Sequence, residues 1–145
     1  MPESNQAIRK DFAKPISIPN LKEISESIRR MSEDQRVVFD IINKYAKTLI
    51  RAILKKDKKP EPPRLVIMGG AGSGKSFIID TISNWLEHLF SIHFRDDYGR
   101  PFVLKAAPTG KAANVIKGVT LHSAFNLPFG NAYTSMSDSL RDSYR

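Results

Sequence analysis

Apolar residues recur at helical spacing in three segments of the chain, with polar and charged residues between them. The first segment follows Asn20, and Glu23 stands three residues later, at capping-box spacing. The second opens at Ser32, which forms a second capping box with Gln35. The pattern predicts three amphipathic helices, whose apolar faces are Leu21, Ile24, Ile28 and Met31; Val37, Val38, Ile41, Ile42, Tyr45, Leu49, Ile53 and Leu54; and Phe77, Ile78, Ile79, Ile82, Trp85, Leu86, Leu89 and Phe90.

Two shorter apolar runs have the length of β-strands. Arg64–Met68 is entered from two prolines and closed by glycines, and Phe102–Ala107 is halted by Pro108. A short helix is predicted from Lys111 to Lys117, with Gly118 ending it. This order of strands and helices favours an α/β fold, a parallel sheet flanked by helices.

The remaining segments predict the domain organisation. Residues 1–31 are interpreted as an irregular and short-helix lead-in, and residues 32–145 as the α/β domain. Within the domain, Lys55–Pro63 is a charged, proline-rich linker and Asp96–Pro101 a turn, whereas Gly130–Arg145 is polar and serine-rich. Since a sheet of this class usually has about five strands and only two are recognised, we expect the chain to be cut short of a complete sheet.

The residues between the first predicted strand and the third helix match the phosphate-binding pattern G-x-x-x-x-G-K-[ST]. Glycines in such a loop adopt backbone angles that other residues avoid, so the backbone N–H groups can surround a polyphosphate. Lys75 is expected to reach the β- and γ-phosphates, and the Ser76 hydroxyl to ligate Mg²⁺. The structural alternative is a glycine-rich surface turn, but the order strand, loop, helix favours a nucleotide triphosphate site.

Composition limits the possible partners and compartments. The 145 residues suit one domain, and the absence of cysteine excludes disulfides and thiolate metal sites. No apolar run approaches the ~20 residues that span a bilayer, and the first residues lack the apolar core of a secretory signal. The net charge of +8 favours polyanions, nucleic acid above all, although the lysines of residues 55–59 could simply be a solvated loop.

A second motif follows the second predicted strand. At the start of a predicted helix, Thr109 supplies a hydroxyl and Gly110 a backbone N–H with no side chain beside it. This combination suits an anion. The later run Thr120–Phe125 adds hydroxyls, an imidazole and an aromatic ring, which grip phosphates and stack on bases. The structural alternatives are a helix cap at Thr109, a hydrogen-bonded structural role for His122, and a core position for Phe125.

Together, Gln35, Gly-Gly-Ala-Gly-Ser-Gly-Lys-Ser, Ala-Pro-Thr-Gly-Lys-Ala-Ala and Thr-Leu-His-Ser-Ala-Phe resemble the opening motifs of superfamily 1 DNA helicases. The resemblance is to the petite-integration-frequency (Pif-like) branch, which includes helicases of rolling-circle transposons, and it covers about residues 31–129. It implies a P-loop NTPase (RecA-like) fold, with residues 32–145 as the N-terminal part of motor domain 1A. It also implies ATP- and Mg²⁺-dependent 5′-to-3′ unwinding of DNA in repair, recombination and telomere maintenance. The partners would be ATP and single-stranded and duplex DNA, with no membrane, and the protein would act as a monomer in the nucleus or mitochondria, or in the cytoplasm of a prokaryote.

The resemblance also assigns residues. Lys75 would be catalytic and Ser76 the Mg²⁺ ligand, while Gln35 would read adenine, because its amide offers both a donor and an acceptor. The alternative for Gln35 is the capping box alone. The nucleotide-binding set is Gln35, Gly69, Gly70, Ala71, Gly72, Ser73, Gly74, Lys75 and Ser76. The DNA-binding set is Pro108, Thr109, Gly110, Lys111, Thr120, His122 and Phe125.

One expected motif has no counterpart in the sequence. The family's next motif is an apolar strand ending in Asp-Glu, whereas Asp138 and Asp142 lie in a polar, serine-rich stretch. We therefore expect a fold truncated before this Walker B strand, and a chain that binds ATP without turning it over. The alternative is a non-enzymatic ATP- or single-stranded-DNA-binding module derived from such a helicase. An open frame beyond Arg145 leading to Asp-Glu would favour the motor.

Overall fold

The computed structural model describes residues 20–94 and 101–127. The chain divides into two compact units, Met1–Val103 and Leu104–Arg145. Most of the predicted lead-in, the turn around residues 96–100 and the polar C-terminal segment lie outside the described residues.

Helices dominate the first unit, and the second adds a small sheet. The first unit contains α1 (Leu21–Arg29), α2 (Glu33–Lys55) and α3 (Lys75–His93). The second contains β1 (Ala106–Ala107), α4 (Gly110–Val115), β2 (Val119–Thr120) and α5 (Leu121–Phe125). The three amphipathic helices predicted from the sequence, of which the first was expected to be short, are confirmed. Within the part of the chain that is described, none of the helices is long and apolar enough to cross a membrane.

The predicted caps begin the first two helices. The Asn20 carboxamide oxygen accepts from the backbone N–H of Glu23 at 3.0 Å, and its Nδ2 donates to the Glu23 carboxylate at 2.8 Å. At α2 the capping box is complete: Ser32 Oγ accepts from the Gln35 N–H at 3.3 Å, and Gln35 Oε1 accepts from the Ser32 N–H at 3.1 Å. These bonds satisfy backbone donors that a helix leaves unpaired at its start.

The core of the first unit lies between α3 and the other two helices. Met31, Phe39, Ile78 and Ile82 form one buried cluster. Further along the helices, a second cluster consists of Ala46, Ile50 and Leu89. Trp85 lies beside both, and its indole N–H donates to Asn43 Oδ1 at 3.1 Å, which fixes α3 to α2 with a directional bond.

The predicted apolar face of α2 was wrong in part. Its buried residues include Phe39 and Ala46, whereas Val37 and Leu54 are 59% and 58% exposed. The sequence has pairs of adjacent apolar residues along this helix. Because successive residues of a helix point about 100° apart, the two members of each pair lie on different faces. Because α3 packs on only one of those faces, the other stays at the surface.

The predicted strand Arg64–Met68 is not a strand in the structure. Val66 and Met68 are 86% and 88% exposed. A strand is defined by a ladder of backbone hydrogen bonds to a neighbour, and within the described residues this segment pairs with none. Apolar residues and flanking prolines alone therefore did not determine its conformation.

The second predicted strand, 102–107, is also shorter than expected. Only Ala106 and Ala107 are in a strand, and they pair in parallel with Val119 and Thr120. The N–H groups of Phe102 and Val103 instead donate to the buried carboxylate of Glu87 in α3, at 3.1 and 2.7 Å. Donors held by a carboxylate cannot enter a sheet ladder, which explains the shorter strand.

The short predicted helix is confirmed with different bounds, as α4 covers Gly110–Val115 rather than 111–117. The residue with positive φ after it is Lys117, at 51°, and not Gly118. A Cβ at Gly118 would instead collide with the backbone carbonyl of Lys105, the same carbonyl that accepts the Val119 N–H at 2.9 Å. Glycine is needed here because two backbones approach closely.

We expect Gly118→Ala to destabilise the second unit by about 1–3 kcal/mol, because the backbone carbonyl beside it cannot move freely. Gly110→Ala is the matched control, since a Cβ there meets nothing within 4 Å, and it should be neutral or slightly stabilising at the start of α4. Hydrogen exchange at the Val119 amide measures both effects. Equal exchange rates in the two variants would contradict the steric argument.

Candidate functional site

The phosphate-binding pattern forms a tight loop that leads directly into α3. The Ser73 N–H donates to the Gly70 carbonyl at 3.4 Å, and α3 starts at Lys75. Gly72 and Gly74 have φ of 76° and 80°, a left-handed conformation that costs a residue with a Cβ roughly 1–2 kcal/mol. Two of the four motif glycines are thus required by backbone conformation.

The N-terminus of α3 differs from those of the other described helices. Asn20, Ser32, Thr109 and Thr120 each accept a backbone N–H at the start of the helix that follows them. At α3 the capping residue is Gly74, which has no side chain, and the first turn contains no acidic residue. The backbone donors of this turn and the positive end of the helix dipole are therefore available to an anion.

Lys75 is folded back over the loop. Its ammonium group donates to the carbonyls of Gly69 and Gly70, both at 2.6 Å, and to Ser73 Oγ at 3.2 Å. A Cβ at Gly69 would lie 2.5 Å from that same serine oxygen, so the loop closes on itself around the lysine. A phosphate oxygen bound here would offer the Lys75 ammonium group a charged acceptor in place of the neutral carbonyls.

Gln35 lies against the loop as well as in the capping box. While Oε1 accepts from Ser32, the Nε2 atom lies 2.6 Å from where a Cβ would stand on Gly74. The amide is therefore oriented with its acceptor toward the start of α2 and its donor toward the loop. Capping and a position at the site coexist without any rotation of the side chain.

A cavity of about 380 Å³ separates the start of α2 from the loop. Besides predicted site residues, its lining includes Val38 and Ile78, which the sequence placed only in apolar helix faces. Their spacing could have identified them: Val38 follows Gln35 by three residues and Ile78 follows Gly74 by four, so each lies on the same helix face as a site residue. The other lining residues are Ser32, Asp34, Gln35, Val66, Ile67, Met68, Ser73, Gly74 and Lys75.

The model of one protein family matches residues 30–144, well over half of the chain, and its description is PIF1-like helicase. The chain belongs to the PIF1-like helicase family. No curated protein and no solved structure is significantly similar to it. Membership supports a helicase-related function, with binding of nucleotide and DNA, at the level of the family.

The second unit contains the residues predicted to contact DNA. Thr109 and Thr120 act as helix caps, each accepting a backbone N–H at 3.2 Å, so the structural alternative for Thr109 is observed. Lys111 is exposed, and His122 is half-buried. Phe125 is 47% exposed and therefore not a core residue, which leaves its ring face accessible.

The family generally uses Mg²⁺ with ATP, and the donor set at the loop fits such an ion. Ser76 is exposed in the first turn of α3, directly after Lys75. The described residues contain no group of three or more His, Cys, Asp or Glu that could hold a metal by themselves. In phosphate-loop sites a Ser or Thr hydroxyl at this position holds Mg²⁺ together with an acidic residue and the phosphates, so Ser76 would supply one of the ligands of such an ion.

We expect Gly74→Ala to cost more stability than Gly72→Ala, although both glycines have the same positive φ. Only the Cβ at position 74 meets Gln35, whereas nothing lies within 4 Å of a Cβ at position 72. Urea unfolding of both variants, alone and combined with Gln35→Ala, measures the contact as a double-mutant cycle. The difference should shrink once the amide is removed. Equal costs in the presence of Gln35 would show that the amide does not lie against the loop.

Proposed function

We propose that this chain is the nucleotide-binding part of an ATP-dependent DNA helicase that moves 5′-to-3′ on DNA. Family membership supports a helicase-related function, and the resemblance of the motifs supports the direction and a role in repair, recombination and telomere maintenance. ATP and DNA are the proposed partners.

The observation that carries the proposal is the start of α3. A glycine instead of a side-chain cap, no acidic residue in the first turn, and Lys75 at the first position leave donors and positive charge together at one point. An uncapped N-terminus would be unfavourable unless a ligand or water satisfied its donors. A triphosphate supplies acceptor oxygens and negative charge to the same groups.

Nucleotide binding in this arrangement is an exchange of partners. Lys75 gives up the carbonyls of Gly69 and Gly70 and takes the phosphates in their place. Its stabilising effect on ATP is therefore the difference between a charge-assisted bond to phosphate and bonds to neutral carbonyls. Ser76 would hold Mg²⁺, whose charge offsets that of the phosphates when it is bound.

The base is proposed to lie in the cavity beside α2. The half-buried Val38 offers apolar surface to a purine ring, and Gln35 lies at the edge of the same cavity. Its Nε2 can donate to a ring nitrogen, and the second lone pair of Oε1 can accept from an exocyclic amino group while the first accepts from Ser32. Adenine presents that pair of groups, which supports a preference for ATP over GTP.

We expect Lys75→Ala to weaken Mg²⁺-ATP binding by about one to two decades, because a charge-assisted contact of about 1.5–3 kcal/mol is lost. Because Lys75 gives up its hydrogen bonds to the Gly69 and Gly70 carbonyls when it binds phosphate, we expect a loss of affinity toward the lower end of that range. Lys22→Ala on α1 removes the same charge at an exposed position and is the control. Isothermal calorimetry compares the three proteins. Unchanged affinity in Lys75→Ala would refute the proposed site.

Gln35→Glu tests base selection separately from helix capping. The carboxylate can still accept from the Ser32 N–H and adds favourable charge to the first turn of α2, so the melting temperature should hold or rise. It replaces the Nε2 donor with an acceptor, so the ratio of ATP to GTP affinity should fall toward unity. Affinities for both nucleotides measured beside the melting temperature separate the two roles. A preserved ATP preference would leave Gln35 with capping alone.

A further inference from the structure

Four basic residues form a straight row along the outer face of α2. Lys44, Lys47, Arg51 and Lys55 are all exposed and follow one another at intervals of three or four residues. At about 100° per residue they occupy a sector of roughly 80°, and at about 1.5 Å per residue the row is about 16 Å long. We call these four residues the basic row.

The basic row faces away from the core. The residues of α2 that pack against α3 include Phe39, Ala46 and Ile50, which lie on the opposite side of the helix. The stems of the four side chains therefore have no packing role. Removing their charges should leave the core of the first unit intact.

Few acidic residues accompany the positive charge of this region, although Asp40 precedes Lys44 by four residues on the same face of α2. Residues 41–59 include seven Lys and Arg but a single acidic residue, Asp57. Among the described residues no carboxylate forms an ion pair with the basic row. On α1, in contrast, Glu23 and Glu26 lie between Lys22 and Arg29. The chain thus concentrates an excess of positive charge on one face of one helix, with Asp40 as its acidic neighbour at the N-terminal end.

We propose that the basic row is a docking surface for the phosphate backbone of duplex DNA, separate from the motif residues of the second unit. Its four cations are distributed over about 16 Å, so they can contact several phosphates of a duplex, each strand of which carries a phosphate about every 3.4 Å along the axis. None of the residues of α2 that are exposed between Lys44 and Lys55 is aromatic, so this face offers no exposed ring on which an unpaired base could stack, and this favours a duplex over a single strand. The proposal draws on the DNA partner of the proposed function but involves none of its nucleotide-site residues.

The test compares Lys47→Gln/Arg51→Gln with a control, Lys22→Gln/Arg29→Gln. Both variants lower the net charge by two at exposed helical positions, and glutamine retains helix propensity, which circular dichroism verifies. Fluorescence anisotropy with a short blunt duplex, without nucleotide, gives affinity as a function of salt. The slope of log K against log salt should become shallower by about 1.8 in the row variant, about 0.9 for each lost phosphate contact. Affinity at low salt should fall about tenfold or more.

The control variant should change neither quantity. Equal losses in both variants would assign the effect to net charge and overturn the proposal, as would an unchanged slope in the row variant. Weaker binding of a single strand with unchanged duplex binding would also overturn it. ATP affinity in the row variant should equal that of the unmodified chain. Lys75→Ala reports on the nucleotide site independently, so failure of either proposal is recognised separately.

Discussion

The packing of α3 against α2 determines the geometry of the candidate site. Ile78 and Ile82 from α3 are buried with Phe39 from α2, and the Trp85–Asn43 hydrogen bond fixes the two helices further along. The phosphate loop ends where α3 begins, and Gln35 lies in the first turn of α2. A shift of either helix would therefore change the distance between the loop and the side chain proposed to read the base. The core and the site are consequences of the same contact.

Side-chain capping distinguishes the start of α3 from the starts of the other described helices. A side chain at the N-cap closes the donors of α1, α2, α4 and α5, whereas Gly74 leaves those of α3 open. Gly74 also leaves room for the side chain of Gln35, because a Cβ at position 74 would collide with the Gln35 amide. The same absence of a side chain thus leaves the phosphate donors unblocked and lets α2 approach the loop.

The features that the sequence predicted correctly are those that depend on residues close together in the chain. The capping box at Ser32, the phosphate loop and the three amphipathic helices all depend on residues within a few positions of one another. What failed depends on distant partners: Arg64–Met68 has strand composition, but a strand also requires a neighbour. Likewise, no spacing rule reveals that the carboxylate of Glu87 holds the N–H groups of Phe102 and Val103, fifteen and sixteen residues away. The local elements that surround the candidate site were therefore predicted better than the sheet.

Through Glu87, α3 also binds a segment of the chain that is distant from the phosphate loop in sequence. One end of the helix starts at Lys75, and Glu87, three turns later, binds the chain immediately before the second unit begins. The Glu87 carboxylate is buried, and each of its two oxygens accepts from a backbone N–H group, so two charge-assisted hydrogen bonds hold Phe102 and Val103 against α3. Phe90 stacks on Phe102 with ring centroids 5.8 Å apart and adds an apolar contact at the same place. The helix that begins at the proposed phosphate site therefore also holds Phe102 and Val103, the last residues of the first unit.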